Sequence, residues 1–440
     1  MKKNKLVIFV IVLLGVTFFL LNYNLPLIRK SLVYANMSYQ ISEGDLFLEK
    51  YGVLFGFPLM AAPFVKLINA TLGLRIVSAI FTILYIIISY FFFKCFNSLL
   101  SLKEDVIYLE MIFAFFNPLI IFQFISGYPD TLIAFLFILS FFLLDLLRKN
   151  QNIIIFSSYI ISILISLTIK YNSLILFVLH PMYILFFWKE YNKILQKSFF
   201  KSFLGINILI FLFILIKYRL SLFQILFQRV FIGYTSANYT ENLVTLVLFF
   251  FFYTFNFSLL FLFKANIKKA KEIFVIAALF TLITFLVPSS NYNLRYYLPI
   301  LPFFSLFITY GYFKFNSNYR RVILVLFLLL NTVLILNYNT HSFNSFLSDK
   351  GIILRDEDNL RLGRMYELQN KFNEINSKLP KNATLHYVSN YYQHATHGVY
   401  SREGYFREDL NVVYHKDDNF TQYGKQYVWI EHLVPLPPTS

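Results

Sequence analysis

The sequence predicts an all-α, multi-pass membrane protein of about eleven transmembrane helices, followed by a small soluble α/β domain. Of its 440 residues, 58% are hydrophobic and only 14% are charged. Soluble proteins are roughly 45–50% apolar and about 25% charged. The 55 phenylalanines include runs such as Phe249 to Phe252, which fit only helices that face lipid or one another. This composition excludes an ordinary soluble globule.

Hydrophobic runs of about 17–22 residues mark the predicted spans, because about 20 apolar residues cross a bilayer as a helix. The first run, Leu6 to Leu21, follows three lysines and precedes no small-residue cleavage site, so we expect an uncleaved membrane helix. The predicted spans are 6–22, 74–93, 106–125, 131–147, 153–169, 173–188, 203–217, 243–263, 273–288, 296–313 and 322–337.

The net charge of +16 comes largely from lysines and arginines in the short connections between predicted spans. Basic connections alternate with connections that carry almost no positive charge, such as 126–130 and 289–295. Because cytoplasmic loops hold the excess of Lys and Arg, the N-terminus is predicted inside and the C-terminus outside. This distribution argues against nucleic acid as a partner. The single Cys95 and the Lys-, Asn-, Ile- and Phe-rich composition favour a bacterial cytoplasmic membrane.

The apolar stretch from Val53 to Ile68 decides this topology. It is short and contains two prolines and a lysine. Counting it as a span would invert every later loop and place the basic connections outside. We therefore predict an interfacial or re-entrant helix within a first outer loop of residues 23–72.

A change in composition separates a predicted membrane domain, residues 1–340, from an extracytoplasmic domain, residues 341–440. The region 355–378 is charged and carries apolar residues at helical spacing. Alternating segments then predict strands at 384–389, 410–414 and 426–430. The sequence therefore predicts a small α/β domain over residues 341–440.

Carboxylates on the outer connections are the candidate catalytic residues. Glu43, Asp45 and Glu49 lie within seven residues of the first outer loop. One interpretation is a solvated turn with Asp45 as a helix N-cap; the other is a general base that deprotonates an acceptor hydroxyl. Asp130 precedes the next outward-facing span and is either a helix cap or a carboxylate that lines an outer cavity.

Arg295 stands at an outer boundary, where basic residues are otherwise rare. It can extend to lipid headgroups, or its guanidinium can bind a phosphate of a lipid-linked substrate through two parallel hydrogen bonds. Lys50, Lys170, Arg219 and Arg229 are further cations in outer connections, with weaker arguments for a role.

In their order along the chain, these elements resemble the GT-C class of integral-membrane glycosyltransferases, which includes protein mannosyltransferases and aminoarabinose transferases. The first outer loop is acidic in that class, and two departures occur here: Leu46 follows Asp45 where many members have an acidic pair, and Val53 follows Tyr51-Gly52 where many have proline. The other matching elements are the proline-containing stretch 57–67, the helix start 74–79, the turn Gly127-Tyr128-Pro129-Asp130, and Arg295-Tyr296-Tyr297-Leu298-Pro299-Ile300-Leu301-Pro302-Phe303.

The resemblance implies an inverting transfer of a sugar from a polyprenyl-phosphate donor to an acceptor at the outer face of the membrane. Asp45 would be the catalytic base, with Glu43 and Glu49 as alternatives, and Asp130 would also belong to the catalytic site. The acceptor can be a glycan, a lipid or a protein.

The leaving lipid phosphate would be bound by Arg295 and Lys50. Membrane lipids and the isoprenoid tail of the donor would contact the phenylalanine-rich spans. Some members of the class use a divalent metal and others do not. With isolated carboxylates on each outer loop, we expect no metal and no other cofactor.

Two other functions fit a multi-pass protein. A transporter or flippase of lipid-linked saccharides would show paired broken helices in two related halves and charges at the midplane, and the sequence shows neither. A polymerase or ligase of such saccharides usually has a large outer loop late in the chain, where the loops of this chain are short.

Overall fold

The computed structural model is largely helical. It describes residues 2–27, 30–45, 54–100, 102–150, 152–170, 173, 175–195, 205, 243, 246–265, 271–286, 294–336, 362–389, 399–415 and 427–431. The span predicted at 203–217 falls almost entirely outside the described residues.

Fifteen α-helices occur in the described part of the chain. They are α1 (Lys2–Asn22), α2 (Lys30–Ser42), α3 (Gly56–Leu67), α4 (Ala70–Leu100), α5 (Ile107–Phe115), α6 (Pro118–Gln123), α7 (Asp130–Lys149), α8 (Ile153–Ile169), α9 (Leu176–Phe186), α10 (Trp188–Leu195), α11 (Lys271–Leu286), α12 (Leu301–Lys314), α13 (Ser317–Leu336), α14 (Leu362–Lys378) and α15 (Val399–Arg402). The described part also contains the 3-10 helices Glu104–Val106, Asn256–Lys264 and Leu294–Ile300 and the π-helix Phe249–Thr254.

Among the described residues, four helices are long and apolar enough to cross a membrane: α1, α4, α7 and α13. A fifth span results if the pieces 246–254 and 256–264, which are bent by 101°, count as one. The predicted number of about eleven spans is therefore not confirmed. Several predicted spans coincide with helices that are too short or are interrupted.

The predicted span 106–125 shows why hydropathy overestimates helix length. The helix breaks between α5 and α6, where the side chain of Asn117 accepts a hydrogen bond from the Ile120 amide (3.0 Å). Pro118 follows at the first position of α6. An N-cap followed by proline starts a new helix. A hydropathy window does not register this break because the flanking residues are apolar.

The stretch predicted not to cross the membrane forms α3. With 12 residues the helix is about 18 Å long, whereas the hydrocarbon core is about 30 Å thick. Its Phe57 packs edge-to-face on Tyr34 of α2, with ring centroids 5.5 Å apart. Its length fits an interfacial or re-entrant helix.

The chain divides into two compact units. The first comprises residues 1–18, 79–124 and 129–360, and the second comprises 19–78, 125–128 and 361–440. The first outer loop and the C-terminal region therefore belong to one unit. The predicted domain boundary at 340/341 lies outside the described residues.

Aromatic side chains form the core of the first unit. Phe303 of α12 lies 4.9 Å from Phe92 of α4 and 5.4 Å from Phe141 of α7, between ring centroids. A buried polar network also joins three helices: His180 of α9 contacts Ser140 of α7 (2.9 Å) and Tyr159 of α8 (3.1 Å). Packing and hydrogen bonds thus fix α7, α8 and α9 to one another.

In the second unit, Arg75 of α4 organises the start of the first outer loop. Its side chain is fully buried. The guanidinium donates hydrogen bonds to the carbonyl oxygens of Tyr23 (2.5 Å), Ile125 (3.0 Å) and Asn22 (3.2 Å). A planar group with five N–H donors can gather several carbonyls in this way.

The C-terminal region forms a parallel sheet of three strands: β1 (Thr384–Ser389), β2 (Asn411–His415) and β3 (Tyr427–Glu431). The strand order is β2-β1-β3, and all three lie within one residue of their predicted positions. Leu385 and Tyr387 are buried on one face of β1, as the alternation predicts.

Candidate functional site

Three charged residues of the first unit meet in one cluster, here called the ion cluster: Asp130, Lys170 and Arg295. Asp130 is the first residue of α7, and Lys170 directly follows the last residue of α8. Arg295 lies in the 3-10 helix Leu294–Ile300. Each residue thus lies at or directly beside the end of a helical element.

The ion cluster joins one carboxylate to two cations. Arg295 Nε lies 3.0 Å from Asp130 Oδ2, and Lys170 Nζ donates a hydrogen bond to Asp130 Oδ1. The side chains of Asp130 and Arg295 are 3% and 2% exposed, and that of Lys170 is 16% exposed. These three described residues, one negative and two positive, carry a formal net charge of +1, and low exposure strengthens their field.

Aromatic residues beside Arg295 complete the site. Lys170 Nζ lies 3.9 Å from the ring centroid of Tyr296, a cation–π contact. The Tyr85 hydroxyl of α4 donates to the Leu298 carbonyl (2.5 Å) and so anchors the segment that carries Arg295. The segment 294–300 therefore supplies a cation, Arg295, and a ring that contacts a second cation, Lys170, and Tyr85 of α4 holds this segment in place.

The structure changes the interpretation of Asp130. A helix cap was one expectation, but Pro129 occupies the cap position and Asp130 is already helical. Its carboxylate contacts two cations instead. Lys170, which the sequence favoured only weakly, proves to be part of the same cluster. The available signal was a basic residue that ends an apolar helix at the predicted outer face.

Asp45 lies in the second unit, in the turn that follows α2. Its amide donates to the Gln40 carbonyl (3.0 Å), and Gly44 has a φ of +94°, which favours glycine. The side chains of Glu43 and Asp45 are exposed. Asp45 thus follows the end of one helix. The other predicted site residues of this loop, Glu49 and Lys50, lie outside the described residues.

Comparisons with known proteins give one result. No protein family and no curated protein sequence matches the chain. Among solved structures, ArnT from Cupriavidus metallidurans bound to undecaprenyl phosphate has a TM-score of 0.57 and 13% sequence identity, over 94% of this chain and 86% of that one. The apo state of ArnT gives 0.56 and 11%, over 89% and 84%. The chain therefore has the fold of ArnT, and the predicted resemblance to GT-C enzymes is confirmed at the level of the fold.

Proposed function

We propose that this integral membrane protein is a glycosyltransferase that moves a sugar from a polyprenyl-phosphate donor to an acceptor at the outer face of the membrane. The ion cluster carries the proposal, because it places net positive charge at helix ends predicted to face outward. The shared fold supports it, since ArnT has been solved with undecaprenyl phosphate bound. The bacterial cytoplasmic membrane, with the C-terminus outside, belongs to the same proposal.

On the donor side of the reaction, the ion cluster binds the phosphate of the polyprenyl-phosphate donor. When the bond between the anomeric carbon and the phosphate oxygen breaks, its electron pair stays on the polyprenyl phosphate. Arg295 and Lys170 exceed Asp130 by one positive charge and can stabilise this developing negative charge. Preorganised cations in a site of low exposure serve this purpose because they need little rearrangement during the reaction. Lys50 is a further proposed contact of the phosphate.

On the acceptor side, Asp45 removes the proton of the acceptor hydroxyl. The acceptor hydroxyl oxygen attacks the anomeric carbon from the face opposite the leaving phosphate, which inverts the configuration. Asp45 takes the hydroxyl proton as the new bond forms. The side chain of Asp45 is exposed, as is that of Glu43, two residues earlier, which is the alternative base.

Loss of the proposed base tests the function. In vesicles with a polyprenyl-phosphate sugar, we expect purified wild-type protein to transfer sugar and Asp45→Asn to be slower by about 100-fold or more, because general base catalysis contributes that much. Glu43→Gln tests the alternative base and would be the slow variant if Glu43 took the proton. The control is Glu104→Gln, at a carboxylate that is 64% exposed and outside the proposed site, which should stay near the wild-type rate. Transfer by Asp45→Asn at the wild-type rate would show that Asp45 is not the base. Preincubation with EDTA tests the proposed independence from metal.

Replacement of Arg295 by Ala tests the phosphate contact. We expect kcat/KM for the donor to fall by about 10- to 100-fold, since a hydrogen bond to a charged group contributes about 1.5–3 kcal/mol. Asp130 keeps Lys170 as a partner in this variant. Arg321→Ala, an exposed cation in a predicted inner connection, is the control. Unchanged use of the donor by Arg295→Ala would contradict the assignment.

A further inference from the structure

A short segment of the C-terminal region contacts the first outer loop at several points. This segment, residues 399–405, is here called the clamp segment. The Tyr400 hydroxyl donates to the Leu27 carbonyl (2.8 Å), and the Tyr405 hydroxyl approaches the carbonyl oxygens of Leu25 (3.1 Å) and Asn24 (3.2 Å). These bonds hold the first residues of the loop.

Arg402 of the clamp segment holds the helix that leads to Asp45. Its Nη2 donates to Asn36 Oδ1 (2.6 Å), and its guanidinium lies 4.2 Å from the ring centroid of Tyr39. Both partners are on α2, which ends at Ser42. The hydrogen bond to Asn36 and the cation–π contact with Tyr39, one turn later, together restrict the position of the last turns of α2.

Glu403 holds the far end of the loop. Its two carboxylate oxygens accept hydrogen bonds from the backbone amides of Ala70 (2.8 Å) and Thr71 (3.0 Å). The first amides of a helix have no partner within the helix, and the helix dipole favours a negative charge there. The carboxylate thus fixes the N-terminus of α4, where the first outer loop ends.

The clamp segment is itself supported by α14. The ring of Phe372 lies 5.0 Å from that of Tyr400 and 5.2 Å from that of Tyr405, between centroids. Asn376 donates to the Tyr405 carbonyl (2.9 Å). Gly404 adopts a φ of +73°, the left-handed conformation that lets the chain turn between Glu403 and Tyr405.

We propose that the clamp segment positions the first outer loop, and with it Asp45, for proton transfer from the acceptor. Arg402 and Glu403 are then positioning residues, and the C-terminal region is part of the transfer machinery. The inference rests on the proposed function. Its physical basis is that ordering a long loop costs conformational entropy, and that misplacing a reacting group by about 1 Å can slow a reaction on the order of 100-fold.

The contacts have a second interpretation, in which they only hold the C-terminal region in place. The two interpretations predict different kinetics. Positioning of Asp45 affects the chemical step and leaves donor binding intact. A purely structural role affects the thermal midpoint, or donor binding and turnover together.

The test uses the full-length protein with Arg402→Ala, Glu403→Gln and Arg402→Lys. We expect kcat for sugar transfer to fall by about 10- to 100-fold in the first two variants, with KM for the donor unchanged and partial rescue by Lys. Hydrogen–deuterium exchange should become faster in the peptide that covers α2. Tyr405→Phe removes only a hydroxyl and provides a milder variant should the others fail to fold.

Matched controls lie on the exposed side of α14. Glu374 and Lys378 pair with each other (2.9 Å), and Glu374→Gln and Lys378→Ala should retain wild-type kcat and exchange. Unchanged kcat in both clamp variants overturns the proposal, whether or not exchange in α2 increases. The proposal is also overturned if the fall in kcat is accompanied by a rise in KM for the donor and a lower thermal midpoint. If the wild type transfers no sugar, the proposed function fails, and unaltered exchange in the variants then overturns the clamp independently.

Discussion

Asp130→Asn is expected to lower the stability of the folded protein by about 3–5 kcal/mol and to abolish sugar transfer, because it leaves two cations of low exposure without their shared carboxylate. The amide of Asn keeps the shape of the side chain but not its charge. Lys170 and Arg295 would then repel each other, and the segments that carry them would separate. Thermal unfolding in detergent micelles and the transfer assay measure both effects.

A second substitution makes this result specific to the ion cluster. Lys170→Met in the Asp130→Asn background removes one of the two cations that shared the Asp130 carboxylate and should recover part of the stability, a coupling that a double-mutant cycle isolates. The control is Glu104→Gln, because Glu104 is 64% exposed and lies 3.6 Å from Lys94; exposed ion pairs contribute little. Equal unfolding midpoints for Asp130→Asn and Glu104→Gln would refute the prediction.

Gly311→Ala is expected to prevent correct folding. A Cβ atom at Gly311 of α12 would lie 1.9 Å from the carbonyl oxygen of Phe261 and 2.7 Å from its carbonyl carbon. Both are backbone atoms, so no side-chain rotation relieves the overlap. The 3-10 helix Asn256–Lys264 would have to move away from α12, at a cost above the roughly 1–3 kcal/mol typical of overpacking.

Expression level, size-exclusion profile and thermal unfolding in detergent measure this effect. Phe313→Ala, on the same helix and 39% exposed, is the control and should give a monodisperse protein close to wild type. A monodisperse Gly311→Ala variant with the wild-type midpoint would show that the close approach of the two backbones is not required.

The sequence predicted which residues of the ion cluster to examine, but not how they combine. Asp130 and Arg295 stood out because each is the single charged residue of a short connection, 126–130 or 289–295, that is predicted to lie outside. Lys170 stood out less, because a single lysine after an apolar helix also fits a headgroup contact. Lys170 and Asp130 are 40 residues apart in the chain. Their contact depends on how α7 and α8 pack, which local composition does not encode.

For the helices, too, the sequence predicts position but not continuity. Hydrophobic runs predict where helices lie: the predicted span 153–169 coincides with α8, and 322–337 overlaps α13. The same runs do not show where a helix is interrupted. Near Asn256, which has a φ of +34°, a largely apolar run bends by 101°. Hydropathy averages the composition of a window and is insensitive to one residue that redirects the backbone.

The first outer loop shows the largest difference between sequence and structure. Local pattern predicted the acidic residues and the short helix of this loop, and it also predicted the strands of the C-terminal region. The contacts of Tyr400, Arg402 and Glu403 with that loop were not, since each joins segments more than 300 residues apart.

By itself, the sequence determined the membrane class, the positions of most helices and strands, and which carboxylates and cations on the predicted outer connections are candidates for a role, because hydrophobicity, periodicity and charge are local properties. The tertiary structure decided which charges share a site and which segment holds the first outer loop. Those contacts arise from the packing of distant segments, and the free energy of packing depends on the whole chain.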